Sequence, residues 1–337
     1  MLMRLLALSI LLSRAAFACA LALCIFAPRA PVLAQDFPSR NVHVVVPLAA
    51  GSGMDVVVRI YAEELSKSLG KPVVVENQPG AALMLAAQNV ARAAPDGHTL
   101  VVVSSPVMAV NPTLYKKVNY DAEKDFVPLA LYAQSPFVLI ASPVFGAETV
   151  KDFIKKAQDS AESITYATTG AGTLQFLTME TLKRDHNFKA AHVPYRSPPQ
   201  IVTDVVGGHV VSSISETGAA LTLIQDGKLK ALGVTASTRH PQLPQVPTMA
   251  EALDLPGFEA VSWHVLMAPS ATPRTIVDRL HAEMTRITGA PAFQKRVSEV
   301  GLMPLAPRAI ADIEKYIKSE RDRWSAVVTQ LGLAGTL

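Results

Sequence analysis

Ala49, Ala50, Gly51, Ser52 and Gly53 separate two apolar runs, Val42–Val46 and a second that begins at Val56. Small side chains let a ligand come up against the backbone. A helix that starts after such a loop has unbonded first amides and the positive end of its dipole at that point. The chemistry on offer is anion capture without a side-chain cation. Leu48 and Met54 flank the loop, and Asp55, itself an acid, is assigned to capping the helix and shaping the loop. The same device recurs in Ile164–Lys183, where Thr168, Thr169, Gly170, Ala171, Gly172 and Thr173 stand between an apolar run and a helix-period segment. Its hydroxyls add donors to the free amides. Two such loops facing across a cleft would grip a small carboxylate from both sides.

Other chemistries lack their residues. Gly51-x-Gly53 has Val56 where a dinucleotide fingerprint needs its third glycine, and there is no phosphate loop ending in Gly-Lys-Ser/Thr. Ser52 has Ala50 and Met54 where a nucleophile elbow needs glycines. The eight histidines show neither H-x-H nor H-E-x-x-H spacing, so no metal or other cofactor is expected. His186 and His192 read as structural. Asp204 and Glu216 are acids that folding can bring together. If the protein were an exported hydrolase or isomerase of a carboxylated substrate, Asp55 or Glu216 would be its general base. Arg196, in His192–Gln200, can pair with a carboxylate. Trp263 and His264 are candidates to line a cleft, with a core or hinge-strand role the stronger reading for Trp263.

These residues need a scaffold. Short β-rich runs are expected at Val42–Val46, Pro72–Glu76, Thr99–Val103, Phe137–Ala141, Ile164–Ala167, Val210–Ser213 and Ala231–Thr235. Helix-period segments alternate with them: Val56–Leu69, ending at Gly70, then Leu83–Ala94, Val150–Ala157, Leu174–Lys183, Pro199–Val206 and Leu221–Asp226. The last third reads as helices at Arg274–Thr288, Ala292–Val300 and Ala309 to about Leu331. This alternation implies an α/β fold with parallel sheets covered on both faces. Ligands in such folds sit beyond the carboxyl ends of the strands. The loops at 47–55, 77–82, 104–112 (with Ser104 and Ser105) and 168–173 are therefore the candidates.

Arg4 and Arg14 precede the apolar stretch Ala15–Ala27, and Val32 and Ala34 provide small residues for a cut after Ala34. Residues 1–34 thus read as an export signal. They hold three of the 31 basic residues and no acid, which leaves 28 against 28 acidic ones. A balanced mature chain gives no case for nucleic acid or an anionic membrane. Cys19 and Cys24 both lie in the signal, so the mature chain has no disulfide and no thiolate nucleophile.

The chain resembles the periplasmic solute-binding receptors of tripartite tricarboxylate transporters, the Bug-type family. The matching stretches include VVVPLAAGSGMDVVVR, LGKPVVVENQPGA, AAPDGHTLVVVSS, YATTGAGTLQFLTMETLK, HVPYR, GKLKALGVTAS and SWHVLMAPSATP, and they span the mature chain in order. The resemblance implies a type II periplasmic binding-protein-like fold, two α/β lobes joined by two crossing segments with a ligand cleft between them. Lobe 1 would be 36–134 plus 264–337 and lobe 2 135–263, crossing near Tyr132–Phe137 and Phe258–Trp263. It implies a monomer that captures a small organic carboxylate and delivers it to membrane transporter subunits, or presents it to a membrane sensor. Leu48–Asp55 and Thr168–Thr173 would hold the carboxylate. Where the family usually has threonine, histidine and a glycine-rich turn, this chain has Met54, Phe176 and Ala82-Leu83-Met84-Leu85. Those replacements suit a ligand with an apolar, even aromatic, body.

Overall fold

The computed structural model describes residues 37–337; the export signal, its cut and both cysteines lie outside the described residues. The chain parts into a short unit ending at Ser39 and a main body, Arg40–Leu337. The main body begins β1 (Val42–Val46), α1 (Gly53–Leu69), β2 (Val73–Asn77), a 3₁₀ turn (Ala81–Leu83), α2 (Met84–Ala91) and β3 (Thr99–Ser104). A π turn (Pro106–Val110) leads into α3 (Asn111–Leu114) and the long β4 (Phe126–Ala141). Then come α4 (Val150–Asp159), β5 (Ile164–Thr168), α5 (Leu174–Asp185), β6 (Ala190–Pro194), α6 (Pro198–Val206), β7 (Ser212–Glu216) and α7 (Thr217–Gln225). The chain ends with β8 (Lys230–Val234), α8 (Met249–Leu253), β9 (Val261–Pro269), α9 (Arg274–Gly289), α10 (Pro291–Glu299), β10 (Met303–Pro304) and α11 (Ile310–Gln330).

The sheet order is β2-β1-β3-β9-β4-β7-β5-β6, with β8 and β10 also on β4. Two outer trios are parallel, β2-β1-β3 and β7-β5-β6. Between them β9 and β4 run antiparallel to their neighbours, which corrects the expectation of parallel sheets throughout. The missed strands explain the error. The first half of β4 contains Pro128, which cannot donate to a ladder. The ladder takes it at an irregularity, because the β4–β9 register shifts between Pro128 and Ala130. β4 pairs with β9 as far as Pro136 and with β7 from Phe137 on, so one strand serves both halves of the sheet.

β1 (VHVVV) and β3 (TLVVVS) are nearly continuous β-branched runs because helices cover both faces. α1 is held at both ends. Ser52 Oγ accepts from Asp55 N at 3.3 Å, and Gly70, at φ +70°, closes the helix by donating to Ser66 O at 3.1 Å. Fully buried Trp263 anchors β9, its Nε1 donating to Glu320 Oε2 at 3.2 Å. These elements fix the strand ends from which the candidate loops spring.

Candidate functional site

A cavity of about 620 Å³ lies where these loops meet. Each of the four expected loops contributes lining residues: Leu48 and Ser52–Met54, then Ala82, then Ser104, Pro106 and Asn111, and finally Thr169–Thr173. Three helices start at its wall. α1 begins at Gly53 behind the Ser52 cap. α5 begins at Leu174 behind Thr173, whose Oγ1 accepts from Phe176 N at 3.2 Å. α7 begins at Thr217, and Thr217, Gly218 and Ala219 all line the cavity. The first amides of a helix have no intrahelical acceptor, so all three positive helix ends meet one space. Among the described residues, no lysine or arginine lines it.

The start of α7 is a feature that the sequence reading missed. Ser-Ile-Ser-Glu-Thr-Gly at 213–218 is again strand, small residues, helix, but Gly218 and the two alanines after it weaken the helical period until Leu221. Ser262 was missed as well, whereas His264 was a cleft candidate and lines the cavity. They alternate with Trp263 along β9, so the strand's period of two sends them to the cavity and the tryptophan to the core. Tyr115, Ser135–Phe137, Gln175 and Val300–Leu302 also line the cavity without having been singled out as site residues, and of the apolar Leu83–Leu85 replacement only Leu83 lines it.

Several expected site residues lie behind the wall instead. Ala49, Ala50 and Gly51 form an exposed turn. The Gly51 amide is spent on Asp55 Oδ2 at 2.8 Å. Asp55 is closed off just beneath the surface and is not the cap; Ser52 is. Burial pushes its carboxyl up, but donors from Arg59, Gly51 and Asn77 outweigh that and lower its pKa. The salt bridge from Arg59 spans 3.0 Å and the Asn77 bond 2.9 Å. A carboxylate so committed is no general base. Ser105 Oγ contacts Val261 O and Ser262 Oγ at 3.5 and 3.4 Å. Thr168 Oγ1 lies 2.7 Å from His192 Nε2 and folds the loop back onto Gly170. Phe176 packs against Tyr166 and His192, with ring centroids 6.3 and 4.9 Å away. Arg196 is exposed and lines nothing in the cavity. Asp204 accepts from the Tyr195 hydroxyl at 2.6 Å, apart from Glu216.

Three polar groups stand free at the wall. Ser104 Oγ and His264 Nδ1 are buried and have no partner, and Ser104 and His264 are register neighbours on β3 and β9. Burial lowers the His264 pKa to about 4, so the ring is neutral. Glu216 keeps its surface open to the cavity while protein surrounds it, and this desolvation raises its carboxyl pKa. Among the described residues, no group of three or more His, Cys, Asp or Glu is placed to hold a metal ion.

The cavity rim is tight at two points. Gly301, at φ +78°, packs on Gly218 so closely that a Cβ there would come within 2.9 Å of Gly218 Cα. Gly172, at φ +90°, faces Leu114, whose Cδ2 would lie 2.2 Å from an added Cβ.

The model of the tripartite tricarboxylate transporter family receptor matches residues 57–333. The chain belongs to this receptor family. Protein BugT of Bordetella pertussis is 31% identical over 305 residues, covering 90% of this chain and 93% of that one. Two solved receptors from Rhodopseudomonas palustris superpose well. Rpa4515 with adipate has a TM-score of 0.78 at 29% identity, covering 88% of this chain and 99% of its own. MatC with bound malate has a TM-score of 0.74 at 34% identity, covering 87% and 100%. The structure of periplasmic binding protein BugD gives 0.75 at 31% identity, covering 88% and 99%. The two-lobed α/β architecture of these receptors is therefore the fold of this chain.

Proposed function

We propose that this chain is a periplasmic receptor that closes over a small organic carboxylate and hands it unchanged to the membrane subunits of a tripartite tricarboxylate-type transporter. One observation carries the reading: three helix N-termini open onto a single cavity that no lysine or arginine lines. Such a site holds an anion with fixed amide donors and the dipole ends. Adipate in Rpa4515 and malate in MatC are ligands of this chemical kind. The receptor works as a monomer, exported with a cut after Ala34. Its lobes are 36–134 plus 264–337 and 135–263. The partner change of β4 at Pro136/Phe137 supports one crossing, and the bond from Ala260 N to Thr235 O just before β9 supports the other.

The ligand body is apolar. Buried Met54 and half-buried Leu83 line the cavity with Leu48, Phe137, Leu174 and Leu302. Phe176 no longer contributes to that inference, because it packs in the core behind α5. A thermal-shift panel of aliphatic and aromatic carboxylates, followed by titration calorimetry, tests capture. Chromatography after long incubation tests for turnover. Binding with the ligand returned intact is expected. Failure of every carboxylate to bind, or steady consumption of one, refutes the reading.

A further inference from the structure

Glu216 is out of place in an anion receptor. It caps α7 without a side-chain cap bond, and its carboxyl lines the cavity that the three helix ends share. No hydrogen bond or ion pair to another described residue accounts for it; burial alone acts on it. The lining offers it no cation, since His264 is held neutral and Asp55 and Arg59 are engaged with each other behind the wall. Glu216 is exposed to the cavity, and closure over a ligand strips its water; left unpaired it is then costly, and a second carboxylate on the ligand beside it multiplies the cost. The helix ends can neutralise one carboxylate. They do not supply a directional partner for two.

Resting on the receptor reading above, we propose that Glu216 determines specificity by pairing with an ammonium group on the ligand, so that the substrate is an amino-carboxylate rather than a dicarboxylate. The ligand carboxylate then takes the helix amides, and the amine reaches Glu216 on the α7 side. Closure of the lobes over the ligand excludes bulk water from the ion pair, and such bonds are then short and strong. The apolar walls cover the chain between the two ends. A dicarboxylate of equal length brings like charge against Glu216 and is rejected unless a proton comes with it. Glu216 therefore works by repulsion as well as attraction.

The test uses length-matched pairs at pH 7.5 on the full mature chain: 4-aminobutyrate against succinate, 6-aminohexanoate against adipate, and 4-(aminomethyl)benzoate against terephthalate. In the pair whose length fits, the amino acid is expected to bind at least tenfold tighter. Glu216→Gln should weaken the amino ligand at least tenfold and leave the dicarboxylate equal or tighter, which reverses the preference. Glu216→Asp, which retracts the carboxylate by one methylene, keeps the test open should the glutamine variant fail to fold. It should weaken the fitting amino ligand while retaining its advantage over the dicarboxylate. A wild-type protein that binds the dicarboxylate as tightly as its amino partner overturns the proposal and leaves the receptor reading intact. So does a preference that neither variant moves. Absence of binding by every member of all three pairs and by the wider carboxylate panel overturns the receptor reading itself.

Discussion

Gly172→Ala separates backbone strain from cleft closure. The residue sits at φ +90°, and a Cβ there would lie 2.2 Å from Leu114 Cδ2 and 3.7 Å from Leu337 Cδ1. Two penalties follow. The left-handed backbone costs an L-residue roughly 1–2 kcal/mol. It is present whether the cleft is open or closed, so it lowers stability and leaves affinity alone. The clash is different: it joins the second anion loop to α3, which lie in separate lobes under the proposed boundaries. It acts only on the closed form. Leu114 is buried, and moving it off its rotamer costs about 0.5–1.5 kcal/mol. Charged entirely to the closed state, that weakens binding by roughly twofold to tenfold.

Calorimetry on folded variants reads the affinity, and urea unfolding reads the stability. Gly51→Ala is the control. Its φ of +83° gives the same strain, but nothing lies within 4 Å of the added Cβ. It should lose stability like Gly172→Ala and keep wild-type affinity. Adding Leu114→Ala to Gly172→Ala should restore affinity without restoring stability. Equal affinity in Gly172→Ala and wild type would refute the closure argument. Failure of the Leu114 rescue would also refute it, because the obstruction would then lie against the ligand.

The remaining predictions concern stability. The fold holds His264 neutral down to about pH 4 from an ordinary 6.5, so the unfolded chain binds the extra proton in between. Stability is full above pH 6.5 and falls toward pH 4, by about 2 kcal/mol at pH 5; His264→Gln should flatten this part of the urea-midpoint profile, while His192 and His240, also lowered, keep the remainder. Asp55→Ala removes the acceptor of the Gly51 amide, one of the two acceptors of the Asn77 amide group and the partner of Arg59, and should cost about 2–3 kcal/mol in urea unfolding and misplace the first anion loop. Ala81, Ala82 and Leu83 stand consecutively at φ +47°, +51° and +70° beside the cavity. Ala82→Gly should therefore raise stability by about 0.5–1 kcal/mol, the strain relieved less the added unfolded-chain freedom; a loss on unfolding would refute the strain.

How much of this was legible beforehand follows from the range of each interaction. Strand–loop–helix units with local signals were readable: β1 and α1, and β5 with α5, lie close to where their β-branched runs, small loops and end glycines put them. β9 and the first half of β4 were not readable. Their pairing joins segments more than 120 residues apart, and Pro128 is excused only by an irregularity formed with the partner strand. The anion loops were found as stretches of chain, yet the sequence could not divide each loop into wall and scaffold. That division depends on which donors are already spent. Ser52 caps and Asp55 braces, although either residue type can do both.

The same reasoning explains why Glu216 came into view only as a remote general-base candidate. Alone in the sequence, an acid before Thr-Gly is an ordinary turn residue. Its meaning comes from absences in its surroundings: no cation from β4, β9 or the Val300–Leu302 segment faces it, and Asp204, the acid the sequence offered as its neighbour, is bound to Tyr195 instead. A carboxylate left without a partner by several distant segments at once is a property of the assembled cavity. What that cavity lacks is a positive group, and the ligand is the component that can supply it.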